Sequence, residues 1–261
     1  MSTKIQLISD IHQYSNRVIF HPENVLPDSD CLVLAGDLYS PGRLMFQWLK
    51  PIVDTHPRLP IFIILGNHEY YGGLFPYDCH ASFLKLKELG RNVYPLERHT
   101  HILDGIRWLG TTLWSRIPKP KRSEIRKCLN DYHYISKADS PGSKDTRRLV
   151  PEDTHREFLL SKAWLKRELK KPFDGKTVVI THHVPLFELE HPRWQSSPIT
   201  SAFASNLADI IQDNDITLWM FGHAHDPVDT TLYDTRFVSN PYGYPSESVR
   251  RENALTFQIT L

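Results

Sequence analysis

Seven side chains at five places along the chain are of the types that bind divalent metal ions. Asp10 and His12 stand in D-I-H, Asp37 in G-D, Asn67 in G-N-H-E, His182 in T-H-H, and His223 and His225 in G-H-A-H. Carboxylate, amide oxygen and imidazole, with no thiolate among them, suit hard or borderline ions: Mn2+, Fe2+/3+, Zn2+, Ni2+ or Mg2+. Residues two apart on an extended segment point to the same side. Asp10 and His12 are therefore expected to grip one ion together, and His223 and His225 to reach two ions lying side by side. Taken singly, each motif has a plainer reading: D-x-H an accident, G-D a turn, T-H-H a hydrogen-bonded core pair. G-N-H-E and G-H-A-H weigh more, because bare imidazoles after a small turn residue have little packing purpose.

The elements that must position these groups are legible beside them. Each motif follows a short apolar run: KIQLIS before Asp10, CLVLAG before Asp37, PIFIILG before Asn67, KTVVIT before His182 and ITLWMFG before His223. Runs of this length, apolar throughout, predict strands buried on both faces. Helix-like segments at 43–55, 81–89, 153–170 and 201–213 alternate with them, which implies an α/β core with parallel or mixed sheets. In open α/β sheets ligands bind beyond the carboxyl ends of strands, so five strand ends deliver their side chains to one rim. The glycines before Asp37, Asn67 and His223 fit tight turns there. After Gly222, the pieces DTTLYD, TRFVSN and ALTFQITL predict hairpins that complete a sheet.

Residues 116–150 interrupt this order. They are polar and basic, show no strand signal, and read as a cap-like insertion of part helix and part loop within a single domain of 261 residues. The plainer reading of their cations is a solvated face. The functional one makes Arg116, Arg147 or Arg148 a contact for substrate phosphate, and Asn240, in the loop SNPYGY, is a further candidate.

Composition narrows the class. A formal net charge of +1 gives no global field that would draw the chain to nucleic acid or an anionic membrane. No apolar stretch approaches the roughly 18 residues of a membrane span. The three cysteines, Cys31, Cys79 and Cys128, are far apart, which argues against a disulfide framework and for a cytoplasmic protein.

The series D-I-H, G-D, G-N-H-E, T-H-H and G-H-A-H resembles the calcineurin-like metallophosphoesterase superfamily, from residue 10 to residue 225. The phrases GNHEYYG, LGTTLWS, TVVITHHVP, LWMFGHAH and SNPYGY extend the resemblance, towards a bacterial subgroup, over nearly the whole chain. The resemblance implies an α/β sandwich of two mixed β-sheets flanked by helices, with metals at one edge. It implies that Asp10, His12 and His225 hold one divalent metal ion, that Asn67, His182 and His223 hold a second, and that Asp37 bridges them. His182 is preferred to its neighbour His183 because it comes first off the strand. His68 matches the position that contacts phosphate and protonates the leaving oxygen. The implied activity is hydrolysis of a phosphate ester by a metal-bridging hydroxide, with diesters preferred. The alternatives are a phosphomonoesterase, including a protein phosphatase, and a nuclease for which DNA or RNA is substrate. The residues after G-D (Leu38, Tyr39, Ser40) and G-N-H-E (Tyr70, Tyr71) are not the arginines of a dedicated protein phosphatase. All positions being filled argues against a scaffold that has lost catalysis.

Overall fold

The computed structural model describes residues 2–13, 19–244, 246–247 and 253–261. The apolar runs become strands as their patterning requires. β1 (Lys4–Ile8), β2 (Cys31–Ala35) and β3 (Ile61–Ile64) lie side by side in parallel, almost every residue buried. The crossover from β2 to β3 is helix α1 (Met45–Thr55), which buries Met45, Trp48, Leu49, Ile52 and Val53, one stripe at helical spacing. After β4 (Leu74–Phe75) and α2 (Tyr77–Leu84), strand β5 (Val93–Pro95) adds to the edge of β3.

A hairpin of β6 (His99–Leu103) and β7 (Ile106–Thr111) opens a second sheet. The segment from 116 to 150 then forms α3 (Arg122–Cys128), α4 (Asp131–Tyr134), β8 (Ser136–Ala138) and β9 (Thr146–Arg148). Helix α5 (Pro151–Leu169) leads to β10 (Lys176–Thr181), which pairs in parallel with β7. The short helices α6 (Pro192–Gln195) and α7 (Ala208–Gln212) precede β11 (Leu218–Phe221), and β12 (Val228–Leu232), β13 (Thr235–Ser239) and β14 (Gln258–Thr260) follow.

The strand orders are β14-β1-β2-β3-β5 in one sheet and β12-β13-β11-β10-β7-β6 in the other, with β4-β8-β9 apart. Both large sheets are mixed. Alternation along the strands splits their side chains between two cores. Ile5, Leu7, Val33, Phe62 and Ile64 meet Trp108, Val178, Ile180, Met220 and Val238 between the sheets. Ile8, Leu32, Leu34, Ile61 and Ile63 face the outer layer and its helices. Phe62 stacks on Trp108 across the sandwich with ring centroids 4.0 Å apart. Two aromatics so buried contribute several kcal/mol each, at about 25 cal/mol per Å2 removed from water.

Three expectations change. The 116–150 segment does contain strands, a hairpin of two three-residue strands whose first pairs with β4; pieces so short and polar carry no readable alternation. The helix expected over 201–213 shrinks to one turn, Thr200–Ala202, and α7, because Ala204 bridges to Val184 and the Asn206 side chain accepts the Ala208 N–H, starting the helix afresh. Of the late strands, β12 and β13 form the expected hairpin, but β14 returns to the first sheet, antiparallel to β1.

Candidate metal centre

All five motifs come off carboxyl ends of strands, three in the first sheet (β1, β2, β3) and two in the second (β10, β11), so the site sits on the shared rim of the sandwich. The local backbone differs from the extended segments expected. Asp10 (φ 53°), His12 (46°), Asp37 (53°), His223 (71°) and His225 (55°) are all left-handed. Each such residue costs about 1–3 kcal/mol and persists only where its surroundings fix it, and such residues gather at functional sites. Here the loops are laced together. Asp10 N–H donates to Gly36 O (3.0 Å), His12 N–H to Asp37 O (2.9 Å) and Gly222 N–H to His182 O (3.0 Å). Two turns leave no room for a side chain: a Cβ on Gly66 would run into Asp37 Oδ1, and one on Gly222 would lie 2.7 Å from Asp10 Oδ2.

Glu69 closes the base. Its carboxylate accepts N–H groups from Gly66 (2.6 Å), Asp37 (3.0 Å), Leu38 (2.6 Å) and Tyr39 (3.1 Å), tying the G-D turn to the G-N-H-E turn. Burial and the charge of Asp37 push this carboxyl up to about 7, against those four donors.

The candidate ligand atoms converge in three overlapping groups: Asp10, His12 and His225; His12, Asp37 and His68; Asp37, His182 and His223. Within each group they lie within 4.8 Å of one another. His12 Nε2 is 2.9 Å from His225 Nε2, and His225 Nε2 is 3.4 Å from Asp10 Oδ1. His182 Nε2 is 3.3 Å from Asp37 Oδ1 and 3.2 Å from Asn67 Oδ1, while its Nδ1 lies 2.9 Å from Ala35 O. Burial would raise the Asp37 carboxyl, but the His182 and His68 imidazoles hold it well below the usual range. Burial works against charge on His182 too, yet Asp37 raises it to about 9. The donor set fits divalent ions on its own terms. His223 Nε2 is shielded from solvent and has no hydrogen-bond partner among the described residues, a basic nitrogen left for a ligand to claim.

His183 turns the other way. It is 1% exposed, its Nδ1 lies 3.2 Å from Thr112 O, and burial with the nearby His182 charge pushes its pKa down to about 3. His68, also buried, places Nε2 3.8 Å from Asp37 Oδ2 and 3.3 Å from the Tyr244 hydroxyl, its ring stacked on Tyr71.

A cavity of about 350 Å3 opens over these groups, lined by Asp37, Asn67, His68, His223 and His225 among others. Among the described residues the cation that lines it is Arg193, whose Nη2 donates to both oxygens of Asp226 (3.0 and 2.9 Å). The arginines expected from the sequence lie elsewhere. Arg147 makes a two-pronged ion pair with Asp153 (2.6 and 2.7 Å), Arg148 donates to Ser136 Oγ, and Arg116 is exposed with its backbone N–H on Ser205 Oγ. None of the three lines the cavity. Asn240 donates both amide hydrogens to backbone, Leu7 O (2.6 Å) and Ala254 O (2.8 Å), and so secures β1 from behind.

Sequence reasoning missed the supporting carboxylates. Asp131, at the start of α4, accepts from Asn67 Nδ2 and the Tyr71 hydroxyl, both at 2.8 Å. Glu247 lies 2.9 Å from His225 Nδ1. Nothing local in the sequence marks Asp131 as a partner of Asn67.

Comparison with known proteins agrees with this geometry. Residues 3–227 match the model of the calcineurin-like phosphoesterase family, and the chain belongs to that family. It is thus a member of a class that hydrolyses phosphoesters with the help of metal ions. Over 224 residues it is 30% identical to the uncharacterized protein L509 of Acanthamoeba polyphaga mimivirus, covering 80% of this chain and 74% of that one. The crystal structure of phosphopantetheinyl hydrolase from Mycobacterium tuberculosis shares the fold, with a TM-score of 0.72 at 18% identity over 100% of this chain and 96% of that one. The protein TT1561 of Thermus thermophilus is more distant, with a TM-score of 0.54 at 13% identity, covering 100% and 99%. Among the described residues no helix is long and apolar enough to cross a membrane.

Proposed function

We propose that the chain is a dinuclear metal-dependent phosphoesterase that acts on phosphodiesters in preference to monoesters. The observation that carries the dinuclear reading is Asp37, which belongs to two of the three ligand groups, its Oδ2 3.9 Å from His12 Nε2 and its Oδ1 3.3 Å from His182 Nε2. Asp10, His12 and His225 would hold one ion, Asn67, His182 and His223 the other, and Asp37 would serve both. Bound ions supply Lewis-acid polarisation of the phosphoryl oxygens and lower the pKa of a water.

The chain's own groups do the rest. The Glu69 clamp fixes Asp37 against Asn67, and Asp131 holds the Asn67 amide with its oxygen turned to the cluster. His68, at the cavity wall beside Asp37, would donate a proton to the departing oxygen, a role typically worth about 100- to 10,000-fold in rate. The charge balance of the cavity supports the diester preference. Arg193 is engaged by Asp226, while Asp131, Glu190 and Glu247 add carboxyls to the wall, so a monoanionic diester meets less repulsion than a dianionic monoester. We read residues 1–261 as one domain with 116–150 as its cap, and the three free cysteines as suited to the cytoplasm.

Reloading metal-stripped protein with Mn2+ and assaying bis-p-nitrophenyl phosphate beside p-nitrophenyl phosphate tests this reading, with metal content measured in parallel. Two ions per chain and faster diester turnover are expected. No metal uptake would sink it. A nuclease would instead show affinity for single-stranded DNA that falls steeply between low and physiological salt.

A further inference from the structure

The cavity over the histidines is larger than a phosphoryl group requires. At about 350 Å3 it falls within the range of small-molecule sites, roughly 300–1,000 Å3. It extends between the 116–150 segment and the loop after β10, where Leu129, Trp194, Ile199 and Phe203 line it. Phe203 stacks on the His223 ring with centroids 4.7 Å apart, so the apolar wall starts at the ligand cluster itself.

One polar group on this wall lacks an explanation in the fold. Glu190 is 4% exposed, and its Oε1 is shielded from solvent with no hydrogen-bond partner among the described residues. Buried polar atoms in folded proteins are nearly always paired, and one left open invites a ligand. The neighbouring cation does not serve it, because Arg193 is held by Asp226. Burial first, and then the charge of Asp226, pushes the Glu190 carboxyl up to about 7, so an N–H donor arriving from the cavity side would relieve it. Its backbone is fixed, since Gln195 Nε2 donates to Glu190 O at 2.9 Å.

We propose that this region is a leaving-group pocket, selecting phosphoesters whose leaving group has an apolar body about the size of an aromatic ring and ends in an N–H donor that pairs with Glu190. The inference rests on the hydrolase reading above and names its substrate class. With phosphorus over the histidines, the P–O bond to the leaving group breaks as the water oxygen bonds to phosphorus; the departing oxygen takes a proton from His68, and the proton that the water sheds returns to His68 through solvent. The organic remainder lies against Trp194 and Ile199.

The test compares methyl 4-(aminomethyl)phenyl phosphate with methyl 4-ethylphenyl phosphate, which match in shape and differ in the donor, on Mn2+-loaded enzyme. Pairing with a charged partner discriminates about 10- to 100-fold. The wild type should therefore prefer the aminomethyl ester at least about 10-fold in kcat/KM. Glu190→Leu should bring the ratio close to one, and Trp194→Ala should lower both esters by a similar factor. Equal kcat/KM for the two esters in the wild type, or a preference that survives in Glu190→Leu, would overturn the proposal. Binding of the products 4-(aminomethyl)phenol and 4-ethylphenol to the protein, followed by NMR titration, reads the pocket without catalysis. Selective binding of the aminomethyl compound, lost in Glu190→Leu, supports the pocket even if no ester turns over; failure of turnover alone sinks the hydrolase reading, and equal binding of both sinks the pocket.

Discussion

Asp131 offers a sharp test of how the 116–150 segment supports the candidate metal centre. Its Oδ1 takes hydrogen bonds from Asn67 Nδ2 and the Tyr71 hydroxyl, both at 2.8 Å, and the residue is 6% exposed. The Asn67 amide has two ends, and Asp131 fixes which one faces the cluster: Oδ1 lies 3.2 Å from His182 Nε2. In Asp131→Ala the amide loses that anchor, and a flipped amide would present N–H groups to an ion. Partners behind metal ligands are typically worth 10- to 100-fold in metal affinity, about 1.4–2.8 kcal/mol. Leaving the Asn67 N–H and the tyrosine hydroxyl unpaired adds about 1–3 kcal/mol of lost stability for each group that water does not reach. Asp131→Asn keeps an acceptor and the shape, so it should lose less of both, and Tyr71→Phe should lose stability with little effect on metal. The assay is Mn2+ titration by calorimetry together with kcat against Mn2+ concentration. We expect weakened binding of one ion in Asp131→Ala and recovery of kcat at high Mn2+. Unchanged affinity for both ions would refute the claim that Asp131 orients Asn67.

Other outcomes follow from the same geometry. His68→Ala should keep both metals yet lose at least about 100-fold in kcat on alkyl esters, and much less on nitrophenyl esters, whose leaving group needs no proton; equal losses on both, measured beside metal content, would remove the acid role. Gly66→Ala drives a Cβ onto Asp37 Oδ1 and should cost about 1–3 kcal/mol by overpacking, visible as a Tm lowered by several degrees and weaker Mn2+ binding. Arg193→Ala should raise KM, whereas Arg147→Ala, which removes a surface ion pair with Asp153, should leave kinetics unchanged in a steady-state assay. Glu190 has its folded pKa raised from 4.5 to about 7, so the unfolded chain releases this proton first and stability falls as pH rises from about 4.5 to about 7, by up to about 3 kcal/mol. Denaturant melts at pH 5 and pH 8 should show Glu190→Gln losing less stability over that interval than the wild type.

The places of the strands along the chain and the identity of the groups at their ends are written in the sequence, because both depend on neighbours. A run such as CLVLAG is apolar at every position and must be buried on both faces. The polar residue after it, Asp37, stands at the end of the strand, where it can meet solvent or a ligand, and it read as a candidate ligand only together with the other four motifs. The preference for His182 over His183 rested on the same local logic, and the structure turns His182 to Asp37 and Asn67 and His183 to Thr112. What the tertiary structure decided lies between distant residues. Extended alternation was the expected means of aiming Asp10 with His12, yet both are left-handed, held by bonds to Gly36 and Asp37 that only the pairing of β1 with β2 supplies. Asp131 meets Asn67 across 64 residues, and Arg193 meets Asp226 across 33. No periodicity encodes such meetings, since they arise where a cap and a loop from opposite sheets close over one rim. The basic residues of 116–150 read by composition first as a solvated face, with Arg116, Arg147 or Arg148 as the alternative phosphate contacts. Arg147 is answered in place by Asp153, and the cation that lines the cavity among the described residues came from the short helix α6, with no local mark of that role.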